Sequence, residues 1–465
     1  MTNATRTADP PRTGRLASAR AILGAGAVVG AATVAMNALA FVVPLLGARL
    51  LTPEDLGALS ALLAVGAIAA TVGVGLQTAL AVRWAKQDTV QGAGRVSLLA
   101  AAVTTGVLLV AVPVLSANLD LPLAQPLLLA LLTFPVVLAG RWLGEMQGRR
   151  RYTRLAGGLV LLSAGRFGGI MVALVVGAKV TGSLAAGAAG AYAAVVAIAA
   201  LCGHGPRVIR DRAAARWNGW VASWTGRAGP ENGRARRWPR RHAASPGQPH
   251  APESTRVSGR EVLRASAATL AMLAVSYADL VLARALLPAA ESGAYAVGSV
   301  LTKGAIWAPA AVTVLALPAF AQARRHAVRI TVLCTAASGV VLVAAAALFG
   351  ELAIALASAG KESYQWLAPY AYRFGTVGAL YALVYVFVNA EIAAMARRPA
   401  LGLWLGLGAI LLGAAITRPS TVEGVLALSL ATAALTTLVM ALTYLVRRRR
   451  TASRVPPARD ADPGI

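Results

Sequence analysis

The sequence predicts an all-α integral membrane protein of twelve transmembrane helices in two six-helix halves. Three observations lead there. Of 465 residues, 57% are hydrophobic and only 13% are charged, whereas soluble domains carry about 25% charged residues. Apolar runs of roughly 20 residues, the length a helix needs to cross the hydrocarbon core, recur along almost the whole chain. The charges between those runs alternate in sign from one connection to the next.

The runs place spans at 21–48, 57–82, 97–117, 121–145, 155–178 and 182–203, then at 262–286, 293–321, 328–350, 364–392, 399–417 and 421–446. The first follows a basic tail (Arg6, Arg12, Arg15, Arg20). It exceeds the roughly 7–15-residue apolar stretch of a cleaved signal, so it reads as an uncleaved span. After the ninth, "ELAIALASAG" reads either as an extension of that span or as a segment at the interface. The chain thus divides into a tail (1–20), a first bundle (21–203), a basic loop (204–261), a second bundle (262–446) and a second tail (447–465).

Charge placement sets the direction of these spans. Arg83, Lys86 and Arg95, the cluster Arg149 to Arg151 with Arg154, the long loop, Arg324 and Arg325, Arg397 and Arg398, and Arg447 to Arg450 all fall on one side with both tails. The other side holds Arg49, Lys179, Arg284, Lys361 and Arg418, outnumbered by acids such as Glu54, Asp55, Asp120 and Glu423. Basic residues flank cytoplasmic span ends, so both termini are expected inside. The net charge of +26 is then a consequence of topology, and nucleic acid is not an expected partner.

Two stretches resemble each other. "ARLLTPEDLGALSALLAV" begins at Ala48 and "ARALLPAAESGAYAVGSV" at Ala283. In the first, Thr52 can cap a helix with Pro53 at its first position and Glu54 and Asp55 in its first turn, where acids complement the positive helix end. Glu291 can take part of that role in the second. The Pro-to-Gly spacing differs by one residue between Pro53–Gly57 and Pro288–Gly293. One reading is that any outer hairpin collects Pro, Gly and acids. The other is internal duplication. Six spans is an even number, so both halves would enter from the same side, related by an axis along the membrane normal, with a substrate site between them near the midplane.

Four pieces carry a further resemblance: "ARLLTPEDLGALSAL", "EMQGRRRYTRLAG", "YADLVLARALLPAAESGAYAVGSVLTK" and "VNAEIAAMARRPALG". Together the sequence resembles the polysaccharide and O-antigen-type flippases of the multidrug/oligosaccharidyl-lipid/polysaccharide (MOP) exporter superfamily. The loop 204–261 is longer than that family leads one to expect. The resemblance implies a transporter in the cytoplasmic membrane that moves polyprenyl-pyrophosphate-linked oligosaccharide by alternating access. It implies membrane lipids and glycan-assembly enzymes as partners.

Charges inside spans are costly and are functional candidates by default. Arg166, Lys303 and Arg373 each fall about ten residues from a span end, hence near the midplane by the helical rise. A cavity lined by Arg and Lys would offset the desolvation of a pyrophosphate, and Arg can grip its oxygens in a fork. These three are the candidate substrate-binding residues. Asp279, in the outer half of the seventh span, is expected as a charge partner or an ion-coupling group. Glu145 follows Arg141 by one helical turn and is expected to pair with it. Tyr277, Tyr295, Trp307, Trp366 and Tyr372 read either as sugar-stacking residues or as interface anchors and packing. In the long loop, Trp217, Trp220 and Trp224 recur at helical spacing beside Arg207, Arg210, Arg212 and Arg216. That pattern predicts a helix lying in the lipid interface.

No chemistry is expected. Cys202 and Cys334 cannot build a disulfide framework, and the four histidines form no set with metal-ligand spacing. No Ser/His/Asp set, metal triad or Gly-rich phosphate loop is present, so neither a cofactor nor an enzyme is expected. Three alternatives stay open: a peptidoglycan-precursor flippase, a multidrug exporter of the same superfamily and, more remotely, a membrane polysaccharide polymerase or ligase. An exporter of cationic drugs would want acidic charge where this chain places cations.

Overall fold

The structure is a computed structural model and describes residues 12–87, 90–202, 259–321, 325–393 and 400–452. Helices come in the expected order. They are α1 (Arg12–Leu50), α2 (Pro53–Lys86), α3 (Ala93–Leu119), α4 (Ala124–Gly148), α5 (Tyr152–Val175) and α6 (Val180–Leu201). After the basic loop follow α7 (Gly259–Leu286), α8 (Ala289–Ala321), α9 (Arg325–Leu348), α10 (Ala371–Ala393), α11 (Leu401–Thr417) and α12 (Val422–Ala452). Ten spans among the described residues are long and apolar enough to cross a membrane, and the 17-residue α11 is a shorter apolar helix. This is a multi-pass integral membrane protein.

Two boundaries sharpen the sequence reading. The first helix begins at Arg12, inside the stretch expected to be a tail. "ELAIALASAG" does not extend the ninth span. The chain breaks at Phe349, forms a short helix Gly350–Ala357, and passes through a tight 3-10 segment Glu362–Tyr370 before α10 begins.

Helix pairing repeats along the chain. In the first set α2 packs on α4, α3 on α4, α4 on α6, α5 on α6 and α1 on α5. Six helices later α8 packs on α10, α9 on α10, α10 on α12, α11 on α12 and α7 on α11. The sets meet chiefly where α2 lies against α7 and α8.

Close approach inside the first set comes from the run "GRWLGEMQG". Gly140, Gly144 and Gly148 put one face of α4 against the carbonyls of Gly73, Gln77 and Ala81 on α2, where any β-carbon would collide. Water expulsion does not drive helices together in lipid, so interfaces of small residues that let backbones touch take its place.

A cationic cavity between the two helix sets

The turn into α2 forms as its residues dictate. The Asp55 N–H donates to Thr52 Oγ1 at 3.2 Å, Pro53 opens the helix, and Glu54 and Asp55 occupy its first turn. At the matching turn Glu291 lies in the first turn of α8. These two turns touch. A β-carbon on Gly57 would strike Ser292, and one on Gly293 would strike the backbone of Pro53. The repeated stretches therefore meet each other at the face opposite the arginine-rich connections.

Side chains close that face further. Arg284 of α7 reaches into the first set: its Nε donates to the Leu119 carbonyl at 2.9 Å and its Nη2 to that of Asp120 at 3.1 Å. Its Nη1 donates to Ser292 Oγ at 3.3 Å. Lys361 Nζ donates to the Leu51 carbonyl at 2.7 Å.

Below this seal lies a cavity of about 490 Å³, lined by α1, α2, α4, α5, α7, α8 and α10. It extends toward the arginine-rich face, past Gln77, Thr269 and Ile392. A smaller space of about 140 Å³ continues toward the sealed face, past Pro44, Ser60 and Leu280. Arg166, Phe167, Tyr277 and Lys303 line both, so they stand at the junction. Among the described lining residues of either space there is no carboxylate.

Arg166 is buried, only 7% exposed, and sits in a π turn, Ala164–Gly168, that interrupts α5. Such turns inside α-helices re-aim a side chain and recur at functional sites. Its guanidinium lies 4.8 Å from the Phe167 ring centre, and Gly66 leaves room for it. Its Nε has no hydrogen-bond partner among the described residues. Lys303 is likewise buried; its Nζ donates to the Ser276 carbonyl and lies 3.9 Å from the Tyr277 ring centre. Two cations thus face one cavity, held by aromatic rings and a carbonyl.

Arg373 is not part of this group, which corrects the sequence expectation. The 3-10 segment ahead of α10 places Arg373 at that helix's start. There Nη1 bonds Glu423 Oε1 at 2.6 Å and Nε bonds the Tyr372 hydroxyl at 3.1 Å. Glu423 lies in the first turn of α12, and both side chains are partly exposed.

Asp279 is buried, but it bonds neither cation. It accepts from the Tyr295 hydroxyl at 3.0 Å and from the Leu280 N–H at 2.8 Å, and Tyr295 in turn contacts Ser429 Oγ at 3.2 Å. That knot ties α7, α8 and α12 together. Glu145 pairs with Arg149 at 3.2 Å, and the Arg149 guanidinium stacks on Trp84. Trp217, Trp220 and Trp224 lie outside the described residues, as does the Trp307 side chain. Of the other aromatics, Tyr277 lines the cavity and Tyr295 serves the Asp279 knot, while Trp366 and Tyr372 are exposed. The sequence reading did not single out the sealing roles of Arg284 and Lys361. Arg284 had a signal, because it lies in the repeated stretch.

No protein-family model matches the chain, and no curated protein sequence does. Solved structures do match its fold. A lipid II flippase MurJ, in an inward closed conformation, superposes with a TM-score of 0.60 at 11% identity, covering 90% of this chain and 87% of that one. A multidrug resistance MATE family transporter of the MOP superfamily, inward-facing, gives 0.59 at 14% identity over 90% and 94% of the two chains. An outward-facing MATE transporter gives 0.56 at 14% identity over 92% and 96%. The chain shares the fold of these transporters.

Proposed function

We propose that this MOP-fold chain is a transporter, not an enzyme, and that it moves a polyprenyl-pyrophosphate-linked oligosaccharide across the cytoplasmic membrane by alternating access. In this reading twelve helices form two six-helix halves related by a pseudo-two-fold along the membrane normal, with both termini cytoplasmic. The repeated pairing pattern and the touching repeats Gly57 and Gly293 support the two halves. The cavity then faces the cytoplasm, where such a precursor is made, and Arg284 and Lys361 close the outside.

One observation carries the cargo assignment: Arg166 and Lys303 line the junction, and no carboxylate lines either space among the described residues, the nearby Asp279 being engaged by Tyr295 and the Leu280 N–H. A buried cation with no bonded counter-ion is costly, and an anionic ligand offsets that cost. Lys303 supplies a point charge and Arg166 a planar donor fork suited to phosphate oxygens. Tyr277, Asn37 and Asn389 add the aromatic and amide surface that a glycan uses. A cationic drug would meet repulsion here, which disfavours the multidrug reading. A peptidoglycan precursor carries the same pyrophosphate class of head group and is the second reading, because a lipid II flippase shares the fold. Asp279 is assigned to holding helices rather than to ion coupling.

The test replaces Arg166 and Lys303 singly by Ala and follows glycan export in cells and flipping in proteoliposomes. Losing one charge-assisted contact costs roughly 1.5–3 kcal/mol, about ten- to a hundredfold in cargo affinity. Export should collapse at normal protein abundance. Arg166→Lys should restore part of it, since charge is kept and the fork lost. Full export by both Ala variants at normal abundance would falsify the cationic-cavity mechanism.

A further inference from the structure

We propose that the groove between α2, α3 and α7 binds an anionic phospholipid, with acyl chains in the groove and the headgroup between Arg95 and Arg260. The groove measures about 570 Å³, within the roughly 300–1,000 Å³ of ligand sites. Val65, Ile68 and Val72 of α2 form its floor, with Leu99, Val103 and Val107 of α3 and Val262, Leu263 and Leu270 of α7 as walls. Its polar lining side chains make no demand on an occupant. Thr104 Oγ1 donates to Ala100 O at 2.8 Å, and Ser266 Oγ donates to Val262 O at 2.7 Å. A hydrocarbon chain fits such a surface and a polar ligand does not.

The charge at one end selects the headgroup. The groove runs to Val96 and Gly259, near the starts of α3 and α7. Arg95 and Arg260 adjoin those two residues and both are exposed. The nearby acid Glu261 is engaged by Arg83 at 2.6 Å, so it does not oppose an anion. Basic pockets between helices at an arginine-rich membrane face bind anionic headgroups. Because α2 and α3 belong to one helix set and α7 to the other, the bound lipid bridges the two. It therefore favours the conformation in which α2 and α7 are packed. The inference is independent of what the central cavity carries.

The test is lipid retention by the full-length protein, extracted from nanodiscs of mixed phosphatidylglycerol and phosphatidylcholine and read by native mass spectrometry. Phosphatidylglycerol should be retained preferentially. Each Arg→Gln change at Arg95 or Arg260 should lower that preference about fivefold, and the double variant should approach parity. Filling the groove with Ala100→Trp and Val103→Trp should remove the retained lipid. Val110→Trp, on the same helix but 80% exposed and outside the groove, should not. Should the filled variant fail to fold, photoactivatable phosphatidylglycerol on the wild-type protein gives the same answer by labelling peptides 96–108 and 262–270. Equal retention of the two lipids, preference that survives loss of both arginines, or labelling at Val110 as strong as at Val103 would each overturn the assignment and leave ordinary annular lipid.

Discussion

Arg284 should hold the outer face shut, and its removal should open it measurably. Its Nε and Nη2 donate to the Leu119 and Asp120 carbonyls at 2.9 and 3.1 Å, across the boundary between the helix sets. Hydrogen bonds from a charged group contribute roughly 1.5–3 kcal/mol each. Taking the lower figure for both, Arg284→Ala weakens the closed state by about 3 kcal/mol, about a hundredfold in the closed-to-open ratio. The Lys361 bond to Leu51 remains, so the seal should loosen rather than vanish. The readout is a single cysteine at Leu63, which lines the small inner space, with Cys202 and Cys334 replaced. A membrane-impermeant maleimide should label it slowly in the otherwise unchanged protein and much faster with Arg284→Ala. Arg284→Lys should fall between, keeping one charged donor without the fork. Unchanged labelling at equal abundance would show that Arg284 is not part of the closure.

Three further outcomes follow from the same geometry. Gly293→Val places atoms where only the Pro53 backbone lies, and overpacking of this kind costs about 1–3 kcal/mol; it should raise Leu63 labelling in the same direction as Arg284→Ala. The Arg373–Glu423 pair is partly exposed and should contribute less than about 1 kcal/mol, so Arg373→Ala should leave export near normal, and a collapse comparable to Arg166→Ala would return Arg373 to the cargo path. Cysteines at Asp120 and Lys361 should react with an outside reagent while one at Arg236 should not, and the reverse pattern would invert the orientation.

Much of the fold was legible because lipid leaves a helix few options. Every backbone group must be satisfied within the segment, so long apolar runs could be read directly as helices. Depth was harder. Counting from span ends works only where the end is known. Arg166 and Lys303 line one cavity together, whereas Arg373 sits at the start of α10 because Glu362–Tyr370 forms a tight 3-10 segment ahead of it. Pairing was harder still. Glu145 is four residues from both Arg141 and Arg149, and spacing alone cannot choose between them. The structure adds the Arg149 pair, whose guanidinium lies 4.3 Å from the ring of Trp84, a residue remote in sequence. The sealing bonds of Arg284 and Lys361 go to main-chain carbonyls, which carry no sequence signature at all.

The repeated stretch shows how two similar helix ends can pack closely on each other. By sequence the two copies disagree, since Pro53 precedes Gly57 by one residue fewer than Pro288 precedes Gly293. In the structure the disagreement disappears. Pro53 is the first residue of α2, whereas Pro288 stands just before α8, which begins at Ala289. Gly57 and Gly293 therefore lie equally far into their helices, and the extra residue is absorbed ahead of the second helix. That registration matters because each glycine packs on the other's helix start: Gly57 on Ser292 and Gly293, Gly293 on Pro53. Because the two glycines pack on each other's helix starts, a β-carbon on either copy disturbs the same joint. The charged bonds beside the joint come from Arg284 and Lys361. The two glycine-paired helix ends fit closely, and a few bonds to main-chain carbonyls at the rim join the chain segments around them. Under the proposed alternating-access reading, this division would let the sealed face open without remaking the core.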